Sequence, residues 1–146
     1  MTAHRSADGM PDFLKWAESL TVGGAMLSPR ANAAACGLDP ADFHDRSLGT
    51  IWQAILDAPE PSVVRVAALL LERGELDEIG GEPRLVALVS GQTFVYAGLP
   101  TMLAHAGVVR EWAGKRRRLA ELGKEARETL SGRRNWRDLP EYQGEV

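Results

Sequence analysis

Cysteine is nearly absent from this sequence, and the single one, Cys36, excludes an internal disulfide. A chain without disulfides suits a reducing compartment, so we expect a cytoplasmic protein. Long apolar runs are absent as well. No stretch approaches the roughly 18 residues of a membrane span, and the N-terminus lacks the apolar segment of a secretion signal. The sequence therefore predicts a protein that does not enter the membrane.

An excess of positive charge is also missing. The chain carries 17 Lys and Arg against 20 Asp and Glu, which gives a net charge of −3. A chain with this charge has no overall attraction for nucleic acid. Any such binding must come from a local basic patch, and we expect it to be weak and non-specific.

The sequence lacks the patterns of catalysis and metal binding. The phosphate-binding loop G-x-x-x-x-G-K-[ST] has no match, because Gly114-Lys115 is followed by Arg116 within a predicted helix. The three histidines stand far apart, and none has a partner at metal-ligand spacing. The carboxylates of Glu75–Glu78 are typical of a solvated turn rather than of a catalytic pair. We therefore expect no ATP hydrolysis, no catalytic residue, no metal and no cofactor.

Helical periodicity runs through most of the chain. The clearest stripe follows the spacing i, i+3, i+4, i+7 and i+8 with Leu48, Ile51, Trp52, Ile55 and Leu56. Other stripes comprise Phe13, Trp16, Ala17, Leu20 and Leu27; Val63, Val66, Ala67, Leu70 and Leu71; and Met102, Leu103, Ala106, Val109 and Ala113. Each stripe is expected to face a common core.

These patterns predict an all-α fold. About five short helices form a compact bundle over residues 12–98, and one long helix follows from about 99 to 131 and protrudes from it. The whole helical domain spans 12–131. Residues 1–11 are small and polar, so we expect them to be disordered, and residues 132–146 form a polar tail.

Three segments resemble a known family when they are taken in order. They are AESLTVGGAML at 17–27, LLLERGELDEIGG at 69–81 and HAGVVREWAGKRRRLAEL at 105–122. Together they look like the N-terminal domain of bacterial replicative DNA helicases, the DnaB family, without the ATPase domain. The resemblance covers roughly 17–130 and implies a non-catalytic collar domain in DNA replication, which assembles protomers and docks primase or a loader. The alternative is a free-standing regulator, for example from a mobile element, that binds host helicase or primase.

The second half of the long helix holds the candidate site. A charged turn, Lys115–Arg118, separates the stripe of the first half from a second apolar stripe that begins at Leu119. Three interpretations of the turn stay open: a solvated face, an interface with another protein or another copy, and phosphate contacts to nucleic acid. We expect self-association or helicase protomers as partners, with the primase C-terminal domain as a further possibility. The candidate partner-binding residues are Arg110, Lys115, Arg116, Arg117, Arg118, Leu119, Leu122 and Leu130.

Overall fold

Six α-helices and one 3-10 turn make up residues 10–91 and 98–131, which a computed structural model of the protein describes. The helices are α1 (Asp12–Ala25), α2 (Arg30–Cys36), α3 (Arg46–Asp57), α4 (Val63–Glu72), α5 (Glu82–Ser90) and α6 (Leu99–Leu130), and the 3-10 turn is Pro40–Asp42. The prediction of an all-α fold with one long final helix is confirmed. The disorder expected for residues 1–11 lies outside the described residues except at Met10 and Pro11, and the expected polar tail lies outside them as well. Met10 is already buried.

Helix α3 is the centre of the core. It packs against α1, α2, α4 and the 3-10 turn. The predicted face of α3 is confirmed, since Trp52 and its neighbours Ile51 and Ile55 are wholly buried. The Trp52 ring lies 5.4 Å from that of Phe43, and its indole Nε1 donates a hydrogen bond of 3.0 Å to the carbonyl of Leu38.

The 3-10 turn is closed by two reciprocal hydrogen bonds and lies very close to α3. The Asp39 carboxylate accepts from the backbone N–H of Ala41, and the Asp42 carboxylate accepts from the backbone N–H of Asp39, both at 2.9 Å. These reciprocal bonds form a capping box. A Cβ atom placed on Gly49 of α3 would lie 2.5 Å from the carbonyl oxygen of Pro40. The absence of a side chain at residue 49 is therefore what permits this approach.

Between α4 and α5 the chain makes two tight helix-ending turns. Gly74 has a φ of +71°, and its N–H donates to the carbonyl of Leu71. Gly80 has a φ of +102°, and its N–H donates to the carbonyl of Asp77. Both glycines have a positive φ, which residues with a side chain rarely adopt, so each of the two turns in the acidic connector 73–81 depends on a glycine. Ile79 anchors this connector in the core.

A polar network fixes the start of α3 to its neighbours. The fully buried carboxylate of Glu18 on α1 accepts the backbone N–H groups of His44 and Asp45, at 2.7 and 3.2 Å. On the other side, the Arg84 guanidinium of α5 donates to the Asp45 carboxylate at 3.1 Å and to the Ser47 hydroxyl at 2.6 Å. Arg84 also donates to the carbonyl of Ile79. One arginine therefore connects α3, α5 and the acidic connector.

Acid is expected to weaken the fold through Asp45. Partial burial acts to raise the pKa of this carboxyl, but hydrogen bonds from Ser47 and Arg84 outweigh it and hold the pKa below its ordinary value. The stabilisation is therefore present above the unfolded-state pKa of about 3.9 and is lost as the pH falls through the lower folded-state pKa. Asp45→Asn keeps a residue that caps helices well but removes the charge.

Urea unfolding at several pH values tests this expectation. Asp45→Asn should be less stable than the wild type at pH 7, and the difference should shrink as the pH falls below about 4. A difference that stays constant from pH 7 to pH 3 would contradict the role of the Asp45 charge. Glu60→Gln, an exposed acid outside the network, serves as the control and should show no such trend.

The exposed face of α1 differs from the prediction. Phe13, Trp16 and Leu27 were expected to face the core, yet each is about half exposed, and Leu14 is buried instead. Phe13 makes an edge-to-face ring contact with Trp112, at 5.6 Å between centroids. The buried face of α1 is therefore rotated by about one residue from the predicted face. The prediction failed because Phe13 and Leu14 are adjacent apolar residues, and spacing alone does not decide which of them is buried.

Candidate interaction surfaces

The chain divides into two compact units, one that ends at Ala113 and one that begins at Gly114. In the second unit, the described residues belong almost entirely to α6. Three leucines there are strongly exposed: Leu119 at 68%, Leu122 at 53% and Leu130 at 87%. Together with the exposed Ala126 they stand at i, i+3, i+7 and i+11, so they share one face of the helix. We call this set the leucine stripe.

The second unit is locally basic although the whole chain is acidic. From Gly114 to Ser131 it carries six Lys and Arg side chains against three Glu. Four of the six form the turn Lys115–Arg118, where Lys115, Arg117 and Arg118 are exposed and Arg116 is half-buried. The turn comes immediately before Leu119, so positive charge lies at the N-terminal end of the leucine stripe.

Arg110 stands apart from the other predicted site residues. It lies in the first unit, where its guanidinium donates a hydrogen bond to the backbone carbonyl of Cys36, the last residue of α2. The following residue, Gly37, has a φ of +63° and ends that helix. A cation at a helix C-terminus pairs with the carbonyls left without a helical partner. The contact gives Arg110 a structural role as a cap between α6 and α2.

A second exposed apolar stripe lies on α4 in the first unit. Val64 is 75% exposed and Leu71 is 68% exposed, and Ala68 between them is also exposed. These three residues, at i, i+4 and i+7, form what we call the α4 stripe. Leu71 was expected in the core, and that assignment is wrong: Val66 and Leu70 fill the core side of α4 instead.

Negative charge follows the α4 stripe directly. Glu72, Asp77 and Glu78 are exposed and Glu75 is half-exposed, and all four come within seven residues of Leu71. The cation among them, Arg73, forms an ion pair of 2.7 Å with Asp57 of α3. The end of α4 and the connector therefore carry four carboxylates within seven residues of an exposed leucine.

Membrane and metal sites do not emerge from the described part of the chain. None of its helices is both long enough and apolar enough to cross a membrane. Over the same residues, His, Cys, Asp and Glu side chains form no group of three or more that could hold a metal ion.

Comparisons with known proteins bear on the fold. No protein-family model and no curated protein matches the chain. Among solved structures, the N-terminal domain of DnaB helicase from Mycobacterium tuberculosis matches with a TM-score of 0.71 and 28% sequence identity. The match covers 88% of this chain and 89% of that one. The protein is a structural relative of a DnaB helicase N-terminal domain.

The resemblance seen in the three sequence segments is thereby confirmed for this DnaB-like chain. Its relative is a helicase N-terminal domain, and the all-α architecture with a long last helix agrees with it. The prediction that this chain corresponds to the N-terminal domain of such a helicase rather than to its ATPase motor agrees with that match. The roles predicted for the basic turn and for the leucine stripe stay predictions.

Proposed function

We propose that this DnaB-like chain is a non-catalytic assembly domain of a replicative helicase system, and that it associates through the leucine stripe. The observation that carries the proposal is the exposure of Leu119, Leu122 and Leu130 on one face of α6. Burying a leucine side chain contributes roughly 1.5–3 kcal/mol. Three such residues on one face form an exposed apolar surface of the kind that marks protein–protein contacts.

The charged turn supports an interface rather than a buried core segment. Lys115–Arg118 places four cations in one turn of the helix, and no side of such a turn suits an apolar core. At the rim of an interface, the same charges contribute to the rate and specificity of association more than to its strength. The partner preferred here is another copy of this chain or a helicase protomer with the same domain.

Light scattering across a concentration series tests the proposal. The wild type should form dimers or larger oligomers. The triple variant Leu119→Ser, Leu122→Ser and Leu130→Ser should associate roughly 100-fold more weakly or not at all, because it removes the apolar area. Circular dichroism should show that the helix content is kept, since the three leucines are exposed.

A matched control uses the opposite face of the same helix. Glu121→Ser, Lys124→Ser and Glu128→Ser introduce the same three serines but leave the leucine stripe intact. This variant should associate like the wild type. The proposal is wrong if the wild type stays monomeric up to its solubility limit and also fails to bind a cognate primase C-terminal domain. Binding to that primase domain by a monomeric chain, lost in the leucine variant, would make primase the partner of the stripe.

A further inference from the structure

A groove with a volume of about 280 Å³ lies between α1 and α5 in the first unit. Its apolar lining comprises Trp16 and Leu20 of α1 and Ala87 and Leu88 of α5. Leu20 is buried and Leu88 is half-buried, whereas Trp16 is 55% exposed. Tryptophan is enriched among the residues that contribute most to protein–protein binding. An exposed indole at the edge of a groove is therefore a candidate contact for a partner. We call this site the α1–α5 groove.

A third helix supports the Trp16 indole. Its ring makes an edge-to-face contact with His105 of α6, at 5.6 Å between centroids and 68° between planes. Edge-to-face pairs of rings are favourable, so the contact favours one position of the indole. Burial lowers the pKa of His105 below its ordinary value, so this ring is neutral at pH 7. The tryptophan wall of the α1–α5 groove is therefore apolar and uncharged.

Arg84 supplies the cation of the α1–α5 groove, and part of its guanidinium is unused. Its Nη1 donates to the Ser47 hydroxyl and to the carbonyl of Ile79, and its Nη2 donates to the Asp45 carboxylate. A guanidinium carries five N–H groups. The Nε–H and a second Nη2–H thus have no acceptor among residues 10–91 and 98–131. Nε is not one of the buried unpaired atoms found in that part of the chain, so it is open to solvent.

The unused N–H groups match a carboxylate. Nε and Nη2 belong to one planar fork, and the two parallel N–H groups of such a fork bind both oxygens of a carboxylate. The only other polar side chain in the lining, Ser19, adds a hydroxyl. No Asp or Glu side chain lines the α1–α5 groove to compete for Arg84. The groove therefore combines apolar walls with donors suited to an anion.

From this arrangement, we propose that the α1–α5 groove binds a peptide segment of a partner protein in which an aromatic side chain stands next to a carboxylate. The ring packs between Trp16 and Leu88, and the carboxylate accepts hydrogen bonds from the unused N–H groups of Arg84. The volume of the groove favours a peptide, because sites for whole small molecules measure about 300–1,000 Å³ and bury most of the ligand. The inference goes beyond the proposed function, since it involves neither the leucine stripe nor a second copy.

Dipeptides test the chemistry of recognition. The probe is Phe-Glu, acetylated at its N-terminus and amidated at its C-terminus, and its binding is followed by NMR shifts of the α1 and α5 amides. Phe-Gln lacks the charge and Ala-Glu lacks the ring, so each should bind roughly fivefold more weakly or worse. Binding of Phe-Gln as tight as that of Phe-Glu would overturn the inference. So would the absence of any shift with Phe-Glu at about 20 mM.

Variants of the groove test its position. Gly91 lines one end of it and has an ordinary φ of −62°, and a Cβ there would meet no atom closer than 3.6 Å. Gly91→Phe should therefore fold normally and obstruct the groove, and Trp16→Ala should remove its wall. Each should weaken Phe-Glu binding by roughly fivefold or more. Leu27→Ala is the control, because Leu27 is similarly exposed near the end of α1 but does not line the groove.

The two proposals fail separately. Circular dichroism confirms that each variant keeps its helix content, and Arg84 itself is left unchanged because it also holds α3 to α5. The triple leucine variant should bind Phe-Glu like the wild type. If Gly91→Phe and Trp16→Ala both bind Phe-Glu normally, the inference is wrong whatever the oligomeric state. A monomeric chain that binds Phe-Glu but no primase domain would overturn the proposed function alone.

Discussion

Replacing Trp52 with alanine is expected to lower the free energy of unfolding by about 3–5 kcal/mol, the range of large-to-small changes in protein cores. The indole is wholly buried in α3 and packs on the Phe43 ring. Its removal leaves a cavity beside Phe43 in the core. It also deprives the buried carbonyl of Leu38 of its 3.0 Å hydrogen bond. Denaturant unfolding followed by circular dichroism measures the loss.

Trp52→Phe separates the two contributions. Phenylalanine keeps most of the apolar volume but cannot donate to Leu38, so we expect a smaller loss of roughly 1–3 kcal/mol. Trp16→Ala is the matched control, because that indole is more than half exposed and should change stability far less. A loss below about 1 kcal/mol for Trp52→Ala would show that α3 does not bury this face.

Gly49→Ala is expected to destabilise the protein by about 1–3 kcal/mol, although alanine favours helices by roughly 1 kcal/mol over glycine. The new Cβ would lie 2.5 Å from the Pro40 carbonyl oxygen. That oxygen belongs to a backbone held by the Asp39–Asp42 capping box, so it has little room to retreat. Either the turn or α3 must shift, and the core between them would loosen.

Two other helical glycines serve as controls for Gly49→Ala. Gly107 and Gly114 also lie within a helix, α6, but a Cβ on either would meet no atom within 4 Å. Gly107→Ala and Gly114→Ala should therefore stabilise the protein by roughly 0.5–1 kcal/mol each, through helix propensity alone. Thermal unfolding of the three variants measures the sign of each change. A stabilising Gly49→Ala would refute the close approach.

Buried residues were predicted best from the sequence in helices with one apolar face and otherwise polar residues. Helix α3 has such a pattern, and its buried residues Ile51, Trp52 and Ile55 were identified from spacing alone. Helix α1 has apolar residues at adjacent positions, so the spacing is compatible with two different buried faces. The predicted face included Phe13, which is exposed. In α4, the apolar residues surround the helix, and periodicity cannot decide which side meets the core. Leu71 was misassigned for this reason.

Features that depend on distant parts of the chain left no local signal. The cap that Arg110 places on Cys36 joins residues 74 positions apart, and the sequence offered Arg110 only as one more cation near a basic turn. Nothing in the local sequence distinguishes Gly49, because the space at its Cα is set by the backbone of Pro40 in the preceding turn. The buried Glu18 is similar, since it accepts hydrogen bonds from the backbone N–H groups of His44 and Asp45, which lie 26 and 27 residues further along the chain.

The last helix completes the core of the first unit, and this has a consequence for synthesis. Met102, Ala106 and Val109 belong to the same apolar cluster as residues of α1 and α3. A growing chain therefore displays an incomplete core from the time α3 is made until residues near 113 emerge. At about 5–20 residues per second this interval lasts roughly 3 to 11 seconds. During that time the nascent first unit exposes apolar core surface to other chains. A ribosome that stalls within α5 would hold a chain that cannot complete its core.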